Sequence, residues 1–320
     1  MEPQKEPPQH YLPYPPQPQS TDDEIDLREL LKALWKGKWI LIATTLTFTV
    51  GAIIYALSLP DIYKADAQLA PAESSNGGSL SSMASQLGGL AALAGVNLGS
   101  SESSQAELAI QVMKSRLFAE KFIEKHNLLI SLMAVDGWDI QANSLHIDEA
   151  IYNKDKEVWL REAKGLRVAK PSLQEASSVF NKDFFNVEQD KKTGLYLISI
   201  RHYSPYIAKQ WVDWLVDDIN NTMRERVISE TSRNLEYLNS QLKKTAVADM
   251  QSTFYKLIEE QTKKLMLAES QSEFVFKTID PAVVPELKDS PKRTLICLLG
   301  LLVGFSLGTT IILSRYFYKK

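Results

Sequence analysis

WILIATTLTFTVGAIIYALSL, Trp39 to Leu59, and LICLLGLLVGFSLGTTIIL, Leu295 to Leu313, decide the architecture. Neither stretch carries a charge. A bilayer's hydrocarbon core, ~30 Å thick, is crossed by ~20 apolar residues in a helix, and both stretches reach that length. Each has aromatic or basic anchors: Trp35, Lys36, Lys38 and Trp39 for the first, Lys292, Arg293, Tyr316, Tyr318 and Lys319 for the second. Uncharged helices of this length are rare inside soluble domains. The first stretch also starts too late and runs too long for a cleaved signal peptide. The sequence predicts two transmembrane helices, 39–59 and 295–313.

Charge predicts the orientation. Arg28, Lys32, Lys36 and Lys38 precede the first span, and only Lys64 follows it closely. Cations are retained on the cytoplasmic side. The N-terminus is then cytoplasmic, residues 60–294 lie outside the cytoplasm, and the second span returns residues 314–320 to it.

Composition narrows the function. The chain is 44% hydrophobic and 23% charged, within the globular range, and its net charge of −3 gives no basic stripe for nucleic acid. Cys297 is the single cysteine, so no internal disulfide can form, and the four histidines are scattered without metal-ligand spacing. A nucleophile elbow, an H-E-x-x-H, a Walker A loop and paired C-x-x-C motifs are all missing from the sequence. The expectation is a protein that is not an enzyme, without catalytic residues, cofactor or metal.

Outward from the spans, residues 1–24 form a Pro/Gln-rich tail, with seven of the fourteen prolines in the first twenty positions. Residues 25–38 read as a short amphipathic helix on the cytoplasmic surface, apolar at Ile25, Leu27, Leu30, Leu31, Leu34 and Trp35. Ile62–Ala70 alternates as a strand. Residues 73–104 are rich in Ser and Gly without a phosphate-binding motif. Gln105–His126 reads as one helix, and helical signals recur around Asp148–Ala163. Phe184–Gln189 and Gly194–His202 read as strands joined by a hairpin at Asp190–Thr193.

From Pro205 to Ser270 no further proline and no glycine interrupts a helix-compatible run. Its apolar stripe is narrow: Val212, Val216, Ile219, Met223 and Val227, then Leu235, Leu238 and Leu242, then Met250, Phe254, Leu257 and Leu265. That pattern suits a projecting helix or helical hairpin. Unbroken, it would extend for roughly 97 Å. If the flanking strands share a sheet, it must reverse, with Ser229–Ser232 and Thr245–Asp249 as candidates. After a strand at Phe274–Ile279, Pro281, Pro285 and Pro291 enforce a stiff, extended lead into the second span.

Gly300, Gly304 and Gly308 form a doubled G-x-x-x-G ladder in the second span. Such ladders let helix backbones approach closely in lipid. Thr47 with Gly51, and Ala52 with Ala56, repeat the spacing in the first span, where glycine's general frequency in membrane helices explains it equally well. The charged residues of the long helical run (Arg224, Glu225, Arg226, Glu230, Arg233, Glu236, Lys243, Lys244) are read as a solvated face, with glycan contact as the alternative. Lys292 and Arg293 suit lipid headgroups or simple anchoring.

Taken in order, IDLRELLKALWKGKW (Ile25–Trp39), NLEYLNSQL (Asn234–Leu242), FYKLIEEQTKKLMLA (Phe254–Ala268), TIDPAVVP (Thr278–Pro285) with SPKR (Ser290–Arg293), and the second span resemble the Wzz-type chain-length determinant proteins, or polysaccharide co-polymerases. The resemblance covers nearly all of the chain after residue 24. It implies an α+β membrane protein, with two transmembrane helices flanking a periplasmic α/β base that carries a long helical projection (205–270). It implies control of the modal length of O-antigen or a related lipid-linked glycan in lipopolysaccharide biosynthesis. A bacterial inner-membrane ring homo-oligomer partnered with a Wzy-type polymerase follows from it too. Some relatives carry a cytoplasmic tyrosine kinase, for which the few residues after the second span leave no room. The proline-rich extension and the Ser/Gly stretch depart from the shorter members. An envelope-spanning adaptor for polysaccharide export is the competing reading, and a membrane sensor a third that the short tails disfavour.

Overall fold

The computed structural model describes residues 34–72, 101–245 and 247–319. The expected proline-rich tail, all but the end of the amphipathic segment 25–38, and most of the Ser/Gly stretch lie outside them. The chain divides into two units, residues 57–293 and a helix pair drawn from residues 1–56 and 294–320.

The larger unit is built on a four-stranded sheet with the order β6-β7-β1-β8. Its central strand β1 (Tyr63–Pro71) pairs antiparallel with β7 (Tyr196–His202), from Tyr63 opposite His202 to Leu69 opposite Tyr196. β6 (Phe185–Gln189) flanks β7, and β8 (Phe276–Asp280) flanks the far edge of β1 across a bulge at Gln68/Leu69. Period-two alternation buries Ala65, Ala67 and Leu69 on one face, with Ile198, Ile200, Val187 and Phe276 beside them. The β6–β7 hairpin closes where expected: Asp190 accepts from Lys192 N at 2.8 Å, and Gly194 takes the left-handed φ of 74°.

Helices cover that apolar face. α1 is the first membrane-length helix (Lys38–Ser58). The expected single helix over Gln105–His126 is instead two, α2 (Ser101–Lys114) and α3 (Arg116–Lys125). Ser115 causes the break: in an extended conformation, its hydroxyl accepts from Phe118 N at 3.3 Å and caps α3. α4 (Leu129–Met133) and α5 (Leu173–Val179) complete the layer, and Phe118, Phe122, Ile123 and Phe180 fill the core. The helical signals at Asp148–Ala163 are overturned. That region folds as turns and the paired two-residue strands β4 (Tyr152–Asn153) and β5 (Val158–Trp159). Asn153 accepts from Lys156 N and Glu157 adopts φ 52°, a turn chemistry that outweighs the local apolar spacing. β2 (Val135–Asp139) and β3 (Ser144–Ile147) form a separate hairpin.

The long helical run reverses. α6 (Pro205–Lys244) has 40 residues, about 60 Å at ~1.5 Å each, and α7 (Ala248–Ser270) has 23. The break falls at Thr245–Val247, the second of the two candidate positions, and Ser229–Ser232 stays helical. Ser204 and Pro205 start α6: the serine hydroxyl faces Ile207 N and the proline occupies the first turn. The hairpin is antiparallel, since Arg224 donates to Gln271 O (3.4 Å) at the base and Gln251 donates to Thr245 O (2.8 Å) at the turn. Met250 and Leu257, expected on the inner stripe, point outward. The less exposed positions of α7 are Gln251, Phe254, Ile258, Gln261, Lys264, Leu265, Leu267 and Ala268, and six of them (Gln251, Phe254, Ile258, Gln261, Leu265 and Ala268) follow a three-and-four spacing, as a two-helix seam requires. α8 (Arg293–Lys319) is the second membrane-length helix and extends past the apolar run.

Candidate functional sites: the paired spans and the clamp

The second unit sets α8 against α1. A Cβ on Gly300 would collide with Ala52, and one on Gly304 would lie 2.9 Å from both Phe48 Cβ and Thr45 Cα. One on Gly308 would lie 2.5 Å from Thr44 Oγ1 and 2.9 Å from Leu41 Cδ1. Residue numbers fall on one helix as they rise on the other, so the two run antiparallel. At Gly304 the contact includes backbone, Thr45 Cα, which cannot yield, so only glycine fits there; at Gly300 and Gly308 a side chain would press on Ala52 Cβ and on Thr44 and Leu41. The facing positions on α1 are Leu41, Thr44, Thr45, Phe48 and Ala52. Gly51 faces open space, with nothing within 4 Å of a built Cβ. Gly37, not singled out from the sequence, meets Ile312 in the same way. The threonine hydroxyls along this stripe bond back to their own helix: Thr44 to Ile40 O and Leu41 O, Thr45 to Leu41 O at 2.7 Å. The polar groups of α1 are thereby satisfied without a partner helix.

In the larger unit, the segment that follows α1 and the segment that precedes α8 are stitched together. Ile62 N donates to Ser290 O (2.9 Å), and Asp289 N donates to Ile62 O (2.9 Å). Asp61 Oδ1 receives Lys288 Nζ at 2.9 Å and Arg293 Nη2 at 2.8 Å. Asp289 pairs with Arg201 at 3.2 Å. Pro281, Pro285 and Pro291 lie on the stretch that reaches this clamp from β8. They leave its backbone outside the sheet ladder except at Ser290, which bridges Ile62.

Two further constellations were illegible in the sequence. Asp218, 7% exposed on α6, receives Lys125 Nζ (2.5 Å) and contacts His126 Nε2 (2.9 Å); the His126 ring stacks on Trp214 at 4.2 Å. Burial, then the neighbouring Asp213 and Asp218, hold the Asp217 carboxyl above its usual range. Asn220, 4% exposed, accepts from Val275 N and Phe276 N (2.9 Å each) and donates to Phe276 O (3.1 Å), tying α6 to the strand that returns from α7. Sequence separations of 92 and 56 residues hide both ties. The charged residues of the long run divide as well. Arg224 bonds Asn221 and Gln271, while Arg226, Glu230, Arg233, Glu236, Lys243 and Lys244 have no ion-pair partner among the described residues. No group of three His, Cys, Asp or Glu side chains suited to a metal ion occurs among the described residues.

These features define a class: a mixed helix-and-sheet protein with two candidate membrane helices and a long helical hairpin. Residues 23–126 match the family described as Wzz, chain length determinant protein, and residues 237–317 match the G-rich domain on putative tyrosine kinase. Over residues 23–126 the chain is thus similar to the Wzz-type proteins. Among solved structures, it is similar to one described as a full-length bacterial polysaccharide co-polymerase, at 14% identity over 92% of this chain and 98% of that one, with a TM-score of 0.42. It is also similar to a fragment of WzzB, polysaccharide co-polymerase from Salmonella Typhimurium, at 9% identity over 72% of this chain and 100% of that one, with a TM-score of 0.28. A comparison with curated proteins returned no match.

Proposed function

We propose that this protein sets the chain length of a cell-surface polysaccharide, O-antigen or a related lipid-linked glycan, as a ring-shaped homo-oligomer working beside a Wzy-type polymerase. It does so in the bacterial inner membrane, with both termini cytoplasmic and residues 60–294 periplasmic. The Wzz match over residues 23–126 carries the reading. The hairpin supports it. Tyr237, Met250, Tyr255 and Met266 are 50–64% exposed on a two-helix projection, and apolar side chains in that number favour being covered by further copies. The action is geometric rather than chemical: the glycine ladder fixes the spans, the clamp fixes the base, and the projections of several copies bias how long a glycan grows before release.

The test is a chain that keeps the buried part of α6. Residues 233–267 are replaced by a short turn, and the host's lipopolysaccharide ladder is compared with wild type and with a deletion strain. The expected outcome is the deletion strain's ladder, without a modal peak. A wild-type ladder refutes the reading. An outer-membrane channel co-purifying in place of a polymerase would point to the export adaptor instead.

A further inference from the structure

Beside the clamp, three aromatic rings converge from distant parts of the chain. Tyr63 opens β1, and its ring meets Trp138 edge-on at 5.8 Å. Trp138 in turn meets Tyr206, of the first turn of α6, at 6.1 Å and 60°. The indole N–H of Trp138 is already committed to Asn143 Oδ1 at 3.0 Å, which locks the ring. Tyr206 is 52% exposed. What this group offers a ligand is π surface, which attracts the polarised C–H faces of a pyranose.

The clamp lies two residues from that platform along an extended chain. Asp61 and Tyr63 therefore project on the same side, about 7 Å apart. Lys288 and Arg293 share the single carboxylate of Asp61, which leaves one net positive charge on the trio. Arg293 Nε is buried without a hydrogen-bond partner among the described residues. Guanidinium and ammonium groups together suit phosphate oxygens. Chain length fixes the depth: Asp61 is three residues past the end of α1, and Arg293 opens α8. At ~3.3 Å per residue, Asp61 lies within about 10 Å of a span's end, which is the headgroup layer.

An anion site within three residues of a span's end along the chain, with a stacking platform beginning two residues farther on, matches one amphiphile. We infer that Lys288 and Arg293, positioned by Asp61, bind the diphosphate of a polyprenyl diphosphate-linked glycan, and that Tyr63, Trp138 and Tyr206 stack its first sugar. The inference rests on the function proposed above and names the place where that function's glycan is held.

The full-length protein, in nanodiscs of phosphatidylcholine, is titrated calorimetrically with farnesyl diphosphate, farnesyl diphospho-N-acetylglucosamine and inorganic pyrophosphate. The sugar-bearing lipid is expected to bind about tenfold tighter than farnesyl diphosphate. Tyr206→Ala, at a half-exposed position, abolishes that difference and leaves farnesyl diphosphate binding intact. Arg293→Gln and Lys288→Gln each weaken both lipids; either one suffices if the other fails to fold. Three results overturn the site: equal affinity with and without the sugar, pyrophosphate binding as tightly as the lipids, or complete competition by phosphatidylglycerol nanodiscs without sugar dependence. The last would mark a plain headgroup contact. Failure here with an altered ladder in the deletion strain removes the site alone; an unaltered ladder removes the function.

Discussion

The two halves of α6 share one helix and obey different rules. From Pro205 to Thr231 it buries Trp211, Val212, Leu215 and Ile219 completely, against sheet and helices. Beyond Thr231 no residue of α6 is buried, and among the described residues it lies against α7. In α7 itself, only Ala268 is buried, next to the base. Stability is concentrated where the helix lies on the sheet, and the distal half holds its shape by a thin seam. Even that seam is compromised: Thr231 Oγ1 and Gln261 Oε1 are buried in the hairpin without hydrogen-bond partners. A lone copy therefore has a firm base and a weakly held projection.

The sharpest test of this contrast is a pair of truncations on the same helix. Trp211→Ala removes a side chain 1% exposed that packs on Phe180, Phe184 and His202. It should cost about 3–5 kcal/mol. Leu238→Ala, in the distal seam, should cost no more than about 1–2 kcal/mol, because its site is already half open. Thermal and urea unfolding of the full chain in micelles measures both. Equal losses would dissolve the distinction.

A second asymmetry is pH sensitivity, which the base alone should show. His202 is 1% exposed, and burial pulls its imidazole down to about 4. Its Nδ1 accepts from Ser204 N (3.0 Å), so its Nε2–H donates to Ser131 O (3.3 Å), and the neutral ring satisfies both. The unfolded chain binds this proton near the ordinary value of 6.5, and the folded chain only near 4. The stabilisation is thus fully present above pH 6.5 and declines as pH falls through 4. At ~1.36 kcal/mol per unit, the loss is of the order of 3 kcal/mol. His202→Gln should flatten this part of the stability profile between pH 6.5 and 4. A slope that survives the substitution would assign it to other groups.

What the sequence could and could not disclose follows the same divide. The spans, β1, the β6–β7 hairpin and the existence of a long helical run were legible because each is governed by local periodicity or turn chemistry. The ladder glycines were legible as a motif, and of their partners Ala52 was singled out by its spacing, but Leu41, Thr44, Thr45 and Phe48 were not. On α1, the contact stripe runs through Leu41, Thr44, Phe48 and Ala52, whereas small-residue spacing also drew attention to Gly51, where an added Cβ would meet nothing within 4 Å. Ser115 was read as helix interior because apolar spacing continues on both sides of it, although its hydroxyl is a cap. The clamp at Asp61, the Asn220 tie and the Asp218 cluster join residues from 55 to 232 positions apart. No pattern within a window could reveal them. On the inner face of α7, Phe254 and Leu265 were read correctly, but Met250 and Leu257 were misassigned because the seam uses Gln251 and Gln261 where apolar residues were sought.

The smallest effect on folding should accompany the largest effect on assembly. Tyr255 is 61% exposed on α7, and Met266 on the same helix is 64% exposed. Exposed positions contribute little to the folding of a single copy, so Tyr255→Ser and Met266→Ser should each shift stability by within about 0.5 kcal/mol. If these side chains are instead buried between neighbouring projections, the double substitution removes apolar area from every subunit boundary of a closed ring at once. The particle in detergent should then shrink, as read by light scattering during gel filtration, while the unfolding temperature of the base stays where it was. An unchanged particle with a lowered unfolding temperature would reverse the comparison, placing these residues in the fold of the hairpin and leaving subunit contact to the base.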